Sequence, residues 1–440
     1  MTQALYDNIL AWAYLLAWVV TLIWYQRRNP EADAGSAIIG TYILYAVFSL
    51  ISLNDTLFSD VYNPLRLFPY IYLYGMMMVA LAPVIYNHLI PSSGIDDPNT
   101  RILKVLAAVS IVCALFLLPE IITNFSSGFV KLFTDVDAGY ENYQEQAADN
   151  GESGQKIRNL PAFVYNTISD ITIFLFFYFL SLRKRSKLLI IGMAFSIAVS
   201  MALPIIRGSR GSVIMTTLTV IGAYMLFRRY LSKRLNRAVM VMGLAGLIAV
   251  ALPVGAITVS RFGNLNGGIF GFLSWYVGQG SLYFNNYALD VKEIRNGDRT
   301  ISLFKRVIDP STPLNYTDQR DKNHNMEVND NWFTTFVGDF VLDFGPILAV
   351  IIFLVFNGCV LTAIRPRDGT IKLHQCLLLY FCVCVCMQGG MALFSYSYTG
   401  NLRIIAMFML YAYLRYHEAL LERFPLLSSQ QKDNSHEEEN

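Results

Sequence analysis

The chain has 440 residues, of which 54% are hydrophobic, 14% aromatic and only 15% charged, with a net charge of +2. A soluble chain of this length carries far more charge, and a near-neutral balance without a basic tail or patch gives no nucleic-acid footprint. Uncharged apolar runs of about 17–22 residues recur along it, long enough to cross a hydrocarbon core of about 30 Å. These features predict an all-α polytopic integral membrane protein.

The first apolar run follows Asp7, has no basic residue before it and lacks a small-residue cleavage site. It reads as a retained span and not as a signal peptide. Eleven spans are predicted: Asn8–Tyr25, Ala37–Leu53, Leu67–Ile85, Val105–Ile122, Ala162–Leu182, Leu188–Ile206, Val213–Phe227, Ala238–Val259, Pro346–Ile364, Cys376–Phe394 and Leu402–Leu414. Alternate connections differ sharply in charge. One set holds sixteen basic residues: Arg27 and Arg28; Arg101 and Lys104; Arg183 to Lys187; Arg228 to Arg237; and Arg365, Arg367 and Lys372. The short links of the other set hold four, namely Arg66, Arg207, Arg210 and Arg403. The positive-inside rule then places the N-terminus outside and the C-terminus in the cytoplasm.

On this reading residues 1–425 form one membrane-embedded helical domain, and 426–440 form a polar cytoplasmic tail. Two large extracytoplasmic loops are expected at about 124–161 and 262–331. Within the second, 267–289 is apolar and aromatic. A twelfth span there would put the basic stretch Arg365–Lys372 outside, so an interfacial or re-entrant helix is preferred. No internal repeat of the kind found in many transporters is visible. The six cysteines all lie in apolar stretches. Cys382, Cys384 and Cys386 are spaced i, i+2, which turns them to different sides of a helix. Neither a metal site nor a disulfide framework is expected, and no cofactor.

Charges near the outer face carry the functional signal. Arg207 and Arg210 sit in Arg207-Gly-Ser-Arg-Gly-Ser212, a turn between two spans, Arg261 follows the eighth span, and Arg403 opens the last. Guanidiniums gathered at one face repel each other unless an anion joins them, and their planar forks match phosphate oxygens in pairs. Snorkelling to headgroups accounts equally for any single one. Asp339 and Asp343 share a helix face at i, i+4 spacing, as bases or as partners for arginines. Asp170 lies about eight residues inside the fifth span, where a carboxylate needs an arginine or a wet cavity. Trp275, Tyr276, Tyr283 and Asn285 offer rings and an amide suited to sugars, or else an interfacial aromatic belt.

Four pieces carry a family resemblance: Arg207–Ser212, Ser260-Arg261-Phe262, Trp275-Tyr-Val-Gly-Gln-Gly-Ser-Leu-Tyr-Phe-Asn285, and Phe336-Val-Gly-Asp-Phe-Val-Leu-Asp-Phe-Gly345. With these, the second half of the chain resembles the oligosaccharide repeat-unit polymerases, the Wzy-type O-antigen and capsule polymerases of bacteria. An arginine-x10-glycine pattern described for some members does not follow Arg207, Arg210 or Arg261 cleanly. The resemblance implies a glycosyltransferase at the periplasmic face of the inner membrane. It would move a growing glycan from one undecaprenyl diphosphate to another lipid-linked repeat unit. Arg210 and Arg261 would stabilise the departing diphosphate, and Asp339 or Asp343 would act as base or orient arginines. Arg207, Arg403, Asp170, Trp275, Tyr276, Tyr283 and Asn285 would contact substrate. Membrane lipids, a chain-length regulator and a flippase of the same pathway are the implied partners. Two alternatives are an O-antigen ligase-like transferase, and a transporter or flippase of lipid-linked oligosaccharides.

Overall fold

The computed structural model of the protein describes residues 2–89, 94–96, 98, 101–134, 159–206, 209–262, 268–313, 316–324, 326, 332–365, 369–392 and 398–423. They fold as helices, with a single two-residue strand pair. The helices are α1 (Gln3–Arg28), α2 (Ala34–Leu53), α3 (Leu67–Leu89), α4 (Arg101–Thr134), α5 (Leu160–Ser181), α6 (Lys187–Ile206), α7 (Arg210–Phe227), α8 (Lys233–Phe262), α9 (Gly268–Tyr283), α10 (Ser302–Ile308), α11 (Tyr316–Lys322), α12 (Thr335–Phe344), α13 (Pro346–Ala363), α14 (Leu373–Gln388) and α15 (Tyr398–Arg423). Among the described residues nine helices, α1 to α8 and α13, are long and apolar enough to cross a membrane. The protein is therefore an all-α membrane protein.

Local chemistry sets several boundaries. Asp33 caps α2 by accepting from Ser36 N, while Ser36 Oγ accepts from Asp33 N, a reciprocal capping box. Asn159 caps α5 with Leu160-Pro161 entering the first turn. Gly345 takes φ +79° and Pro346 follows it, so α12 stops and α13 starts across one residue. Several predicted boundaries move, among them these two. The first large loop was expected from 124, yet α4 runs on to Thr134; its 34 residues make it about 51 Å long, well past one bilayer core. The tenth span was expected to reach Phe394, yet α14 ends at Gln388, where Gly389 and Gly390 release the chain.

Contacts between links sort them into two ends. At one end Arg228 Nη1 donates to Ala32 O (3.0 Å), and Arg229 Nη2 donates to Asn87 Oδ1 (3.4 Å). There β1 (Ile95–Asp96) also pairs in parallel with β2 (Ile371–Lys372). These links carry the basic residues, and we call this the basic end. At the loop end Leu65 N donates to Asp7 Oδ1 (2.9 Å), and Asn54 Nδ2 donates to Asn8 Oδ1 (2.8 Å). The strand pair holds the α3–α4 and α13–α14 links together, and the six long helices between them, α4 to α8 and α13, return the chain to the same end.

Helix α9 does not add a crossing. It starts with Gly271 against Asp55 and finishes in a π-helical turn, Phe284–Ala288, where Asn286 Oδ1 accepts from Asn63 N (3.0 Å) and Asn285 Oδ1 from Arg66 N (2.9 Å). Both ends thus sit at the α2–α3 link. Between them Gly278 lies on the Phe48–Ser49 backbone, where a methyl group would come within 2.4 Å of Phe48 C. Ser49 Oγ bonds Gly278 O at 2.6 Å. Ser49 lies about 6 Å inside the end of α2 at Leu53, so the middle of α9 packs across α2 at that depth. The expectation for 267–289 was an interfacial or re-entrant helix, and both ends of α9 at the α2–α3 link are compatible with either.

Candidate active site

The loop end gathers most of the residues that the sequence singles out. The chain leaving the π-helical turn is fixed first through Arg66. Its side chain pairs with Asp290 (2.7 Å) and donates to Asn285 O (3.0 Å), while Asn285 Nδ2 donates to Arg66 O (2.7 Å). Both ends of the Asn285 amide are engaged by the Arg66 backbone, and the side chain is fully buried. Asn285 therefore clamps α9 to the α2–α3 link in this conformation, in place of the sugar contact expected for it.

Next comes an Asn296-Gly297 turn with φ of +53° and +80°, closed by Asp298 N donating to Arg295 O (3.1 Å). Two consecutive positive φ values define a type I′ turn, for which Asn-Gly is the preferred pair. The turn folds Arg295 back along α12. Arg295 Nε donates to Asp343 Oδ1 at 2.7 Å, and Nη2 donates to Asp339 O at 3.2 Å and lies 3.6 Å from Asp339 Oδ1. Arg299 Nη1 is 3.7 Å from the same Asp339 oxygen. Thr300 N donates to Asp343 Oδ2 at 2.7 Å. Arg295, Asp339 and Asp343 are 2%, 1% and 0% exposed. The i, i+4 carboxylates do share a face and do meet arginines, but these are Arg295 and Arg299, which the sequence reading missed. Each Asp343 oxygen already accepts a bond, so the geometry favours the orienting role over the base. The missed signal was the Asn-Gly turn flanked by charge inside a segment that reads as solvated loop.

Segment 290–303, which forms a strap along α12, continues to α15. Asn401 Nδ2 donates to Thr300 O (3.1 Å), and Asn401 Oδ1 accepts from Leu303 N (3.2 Å). Two residues later Arg403 Nε donates to Asn166 O (2.8 Å), and its Nη1 lies 4.0 Å from Asp170 Oδ1. Asp170 thus faces an arginine, as its cost inside a span requires. The Arg403 side chain is 36% exposed and that of Asp170 21%, so the pair is open to a ligand. Tyr380, buried on α14, donates to Asp170 O (2.9 Å) and steadies that turn of α5.

Aromatic side chains cover the neighbouring surface. Tyr276 stands next to Gly211, the second residue of α7, with its ring edge-on to Phe333 (5.2 Å, 82°). Trp275 stacks on Phe58 (5.3 Å, 13°) and donates from Nε1 to Tyr283 Oη (3.3 Å). Tyr283 stacks on Trp332 at 3.9 Å and 6°. Burial pushes the Tyr283 phenol up to about 12, outweighing the opposing bond from Trp275, so it stays protonated near neutrality. Tyr283 itself is fully buried, whereas Trp275, Tyr276 and Trp332 keep partial exposure. Thr335 opens α12 at φ +68°, a costly conformation for a β-branched residue. Its N–H donates to Met391 O (2.7 Å) and that of Phe336 to Gly389 O (2.9 Å), carbonyls that the early end of α14 sets free.

Arg207 lies outside the described residues. Arg210 is the first residue of α7 and Arg261 lies one residue from the end of α8; the contacts of their side chains also fall outside the described residues. Among the described residues no three His, Cys, Asp or Glu side chains gather to hold a metal ion. Comparison with protein-family models, with characterised proteins and with solved structures finds no match to this chain.

Proposed function

We propose that the protein is a membrane glycan polymerase. It transfers a growing oligosaccharide from undecaprenyl diphosphate to a lipid-linked repeat unit at the periplasmic face of the bacterial inner membrane. The observation that carries this reading is the company kept at the loop end. The start of α7, bearing Arg210, meets the aromatic helix α9 through Tyr276, and the strap that follows α9 ends on the helix bearing Arg403. Arginines borne on helix ends beside rings suit a lipid diphosphate with sugars attached.

In the reaction the acceptor hydroxyl oxygen bonds to the donor's anomeric carbon and loses its proton. The carbon–oxygen bond to the diphosphate breaks, and its electron pair leaves with the carrier. Charge grows on the diphosphate, so the proposed roles of Arg210, Arg261 and Arg403 are to bind the transition state more strongly than the ground state. Arg207, three residues before Arg210 in the sequence, joins the same anion in this proposal. Asp170 orients Arg403. Asp339 and Asp343 hold the strap. Trp275, Tyr276 and Trp332 offer ring faces to the glycan. The N-terminus is periplasmic and the C-terminus cytoplasmic, since the basic end carries the positive links.

Cells carrying Arg210→Ala or Arg261→Ala should accumulate single repeat units on the carrier and lose the ladder of longer glycans. A normal ladder at normal protein level in both variants would remove the arginines from the mechanism. The ligase-like reading predicts instead that a null strain traps long chains on the carrier.

A further inference from the structure

We propose that α10, Ser302–Ile308, is an interfacial anchor that seats Phe304, Val307 and Ile308 among the acyl chains of the leaflet at the loop end. These three residues stand at i, i+3 and i+4 and so form one helix face. They are 48%, 83% and 88% exposed, more than apolar side chains on a water-facing helix should be. The charged residues of the same helix turn the other way. Lys305 Nζ pairs with the buried Asp298, which also takes Lys322 at 2.8 Å, and Arg306 Nη1 donates to Thr312 O at 3.3 Å. A helix meant for water would present the lysine and arginine and hide the phenylalanine; this one does the reverse.

Lipid is the occupant that its surroundings favour. Ile301, just before α10, packs over Gly297 beside the Phe344 ring, and Ile294 reaches Gly345, the residue from which α13 begins. Helix α13 is one of the long apolar helices, and its first turn exposes Ile347 at 77%. The partly exposed Ile301 and Ile294 thus lie between α10 and the exposed apolar start of α13. An amphipathic helix at that level buries its apolar face at the headgroup boundary. The Thr300–Asn401 and Leu303–Asn401 bonds then tie the depth of α10 to the first turn of α15. This anchor stands whether or not the glycan reaction is the right one.

The test uses the full chain in nanodiscs of phosphatidylcholine and phosphatidylglycerol. A nitroxide is placed at Val307→Cys or Ile308→Cys in a Cys359→Ser background, because Cys359 is the exposed cysteine among six. Phe304→Cys gives a second reporter on the face should one label disturb folding, and Ser311→Cys serves as a water-facing reference. Collision with oxygen should exceed collision with a soluble nickel chelate severalfold at 304, 307 and 308, and the order should reverse at 311. Nickel dominating at 307 and 308 would overturn the proposal, since the face then lies in water. Weak collision with both would overturn it too, because a second copy or another protein then covers the face.

Discussion

At the basic end Arg228 and Arg229 donate to Ala32 O and Asn87 Oδ1 and keep partial contact with solvent. At the loop end Arg295 donates to Asp343 and to the Asp339 carbonyl while 2% exposed. The same residue type thus does two different jobs. A half-exposed arginine that tidies a link stabilises little, because water supplies an alternative partner. A buried arginine between carboxylates stabilises little net against an apolar replacement, yet breaking one half leaves a stranded charge. The basic end tolerates change in its charges, whereas the loop end makes its charges interdependent and spends them on holding a segment over the bundle.

Substitutions can break this comparison, starting with the largest effect. Asp343→Ala strands Arg295 and frees Thr300 N, which should cost about 3–5 kcal/mol and open segment 290–303 to limited proteolysis. The double variant Arg295→Met with Asp343→Leu should cost clearly less than the sum of the single changes by thermal unfolding. Strict additivity would mean that the pair is not coupled. Arg210→Ala should next reduce polymerisation about 10²–10³-fold with little loss of stability, the range for removing one preorganised donor from an anionic transition state. Gly278→Ala forces α9 off the Phe48–Ser49 backbone and should destabilise by about 1–3 kcal/mol, read as a lower melting temperature. Arg228→Ala at the basic end should change stability by less than about 1 kcal/mol. A loss there as large as that of Asp343→Ala would erase the distinction between the two ends.

Hydropathy and charge located the long helices because span length and link charge are set by the bilayer and act locally on sequence. They also argued against a twelfth span at 267–289, since a crossing there would put Arg365–Lys372 outside. The strap stayed hidden. Arg295 and Arg299 sit in a charge-balanced stretch, and only folding of the Asn296-Gly297 turn brings them to carboxylates forty or more residues away. Asp339 and Asp343 were legible as a pair but not as a clamp, since burial cannot be read from spacing. Asn285 and Tyr283 looked like sugar contacts by residue type, yet Asn285 is spent on Arg66 and Tyr283 lies beneath Trp332. Asp170 was legible outright, because a carboxylate inside a span demands a partner, and Arg403 supplies it.

The most direct test of the central claim incubates the purified protein in detergent with radiolabelled undecaprenyl-diphosphate-linked single repeat units. A polymerase yields a ladder of carrier-linked glycans and free undecaprenyl diphosphate without any second compartment, and Arg210→Ala suppresses both. Folded protein that binds the lipid-linked units and releases them unchanged in length would contradict the account and favour transport.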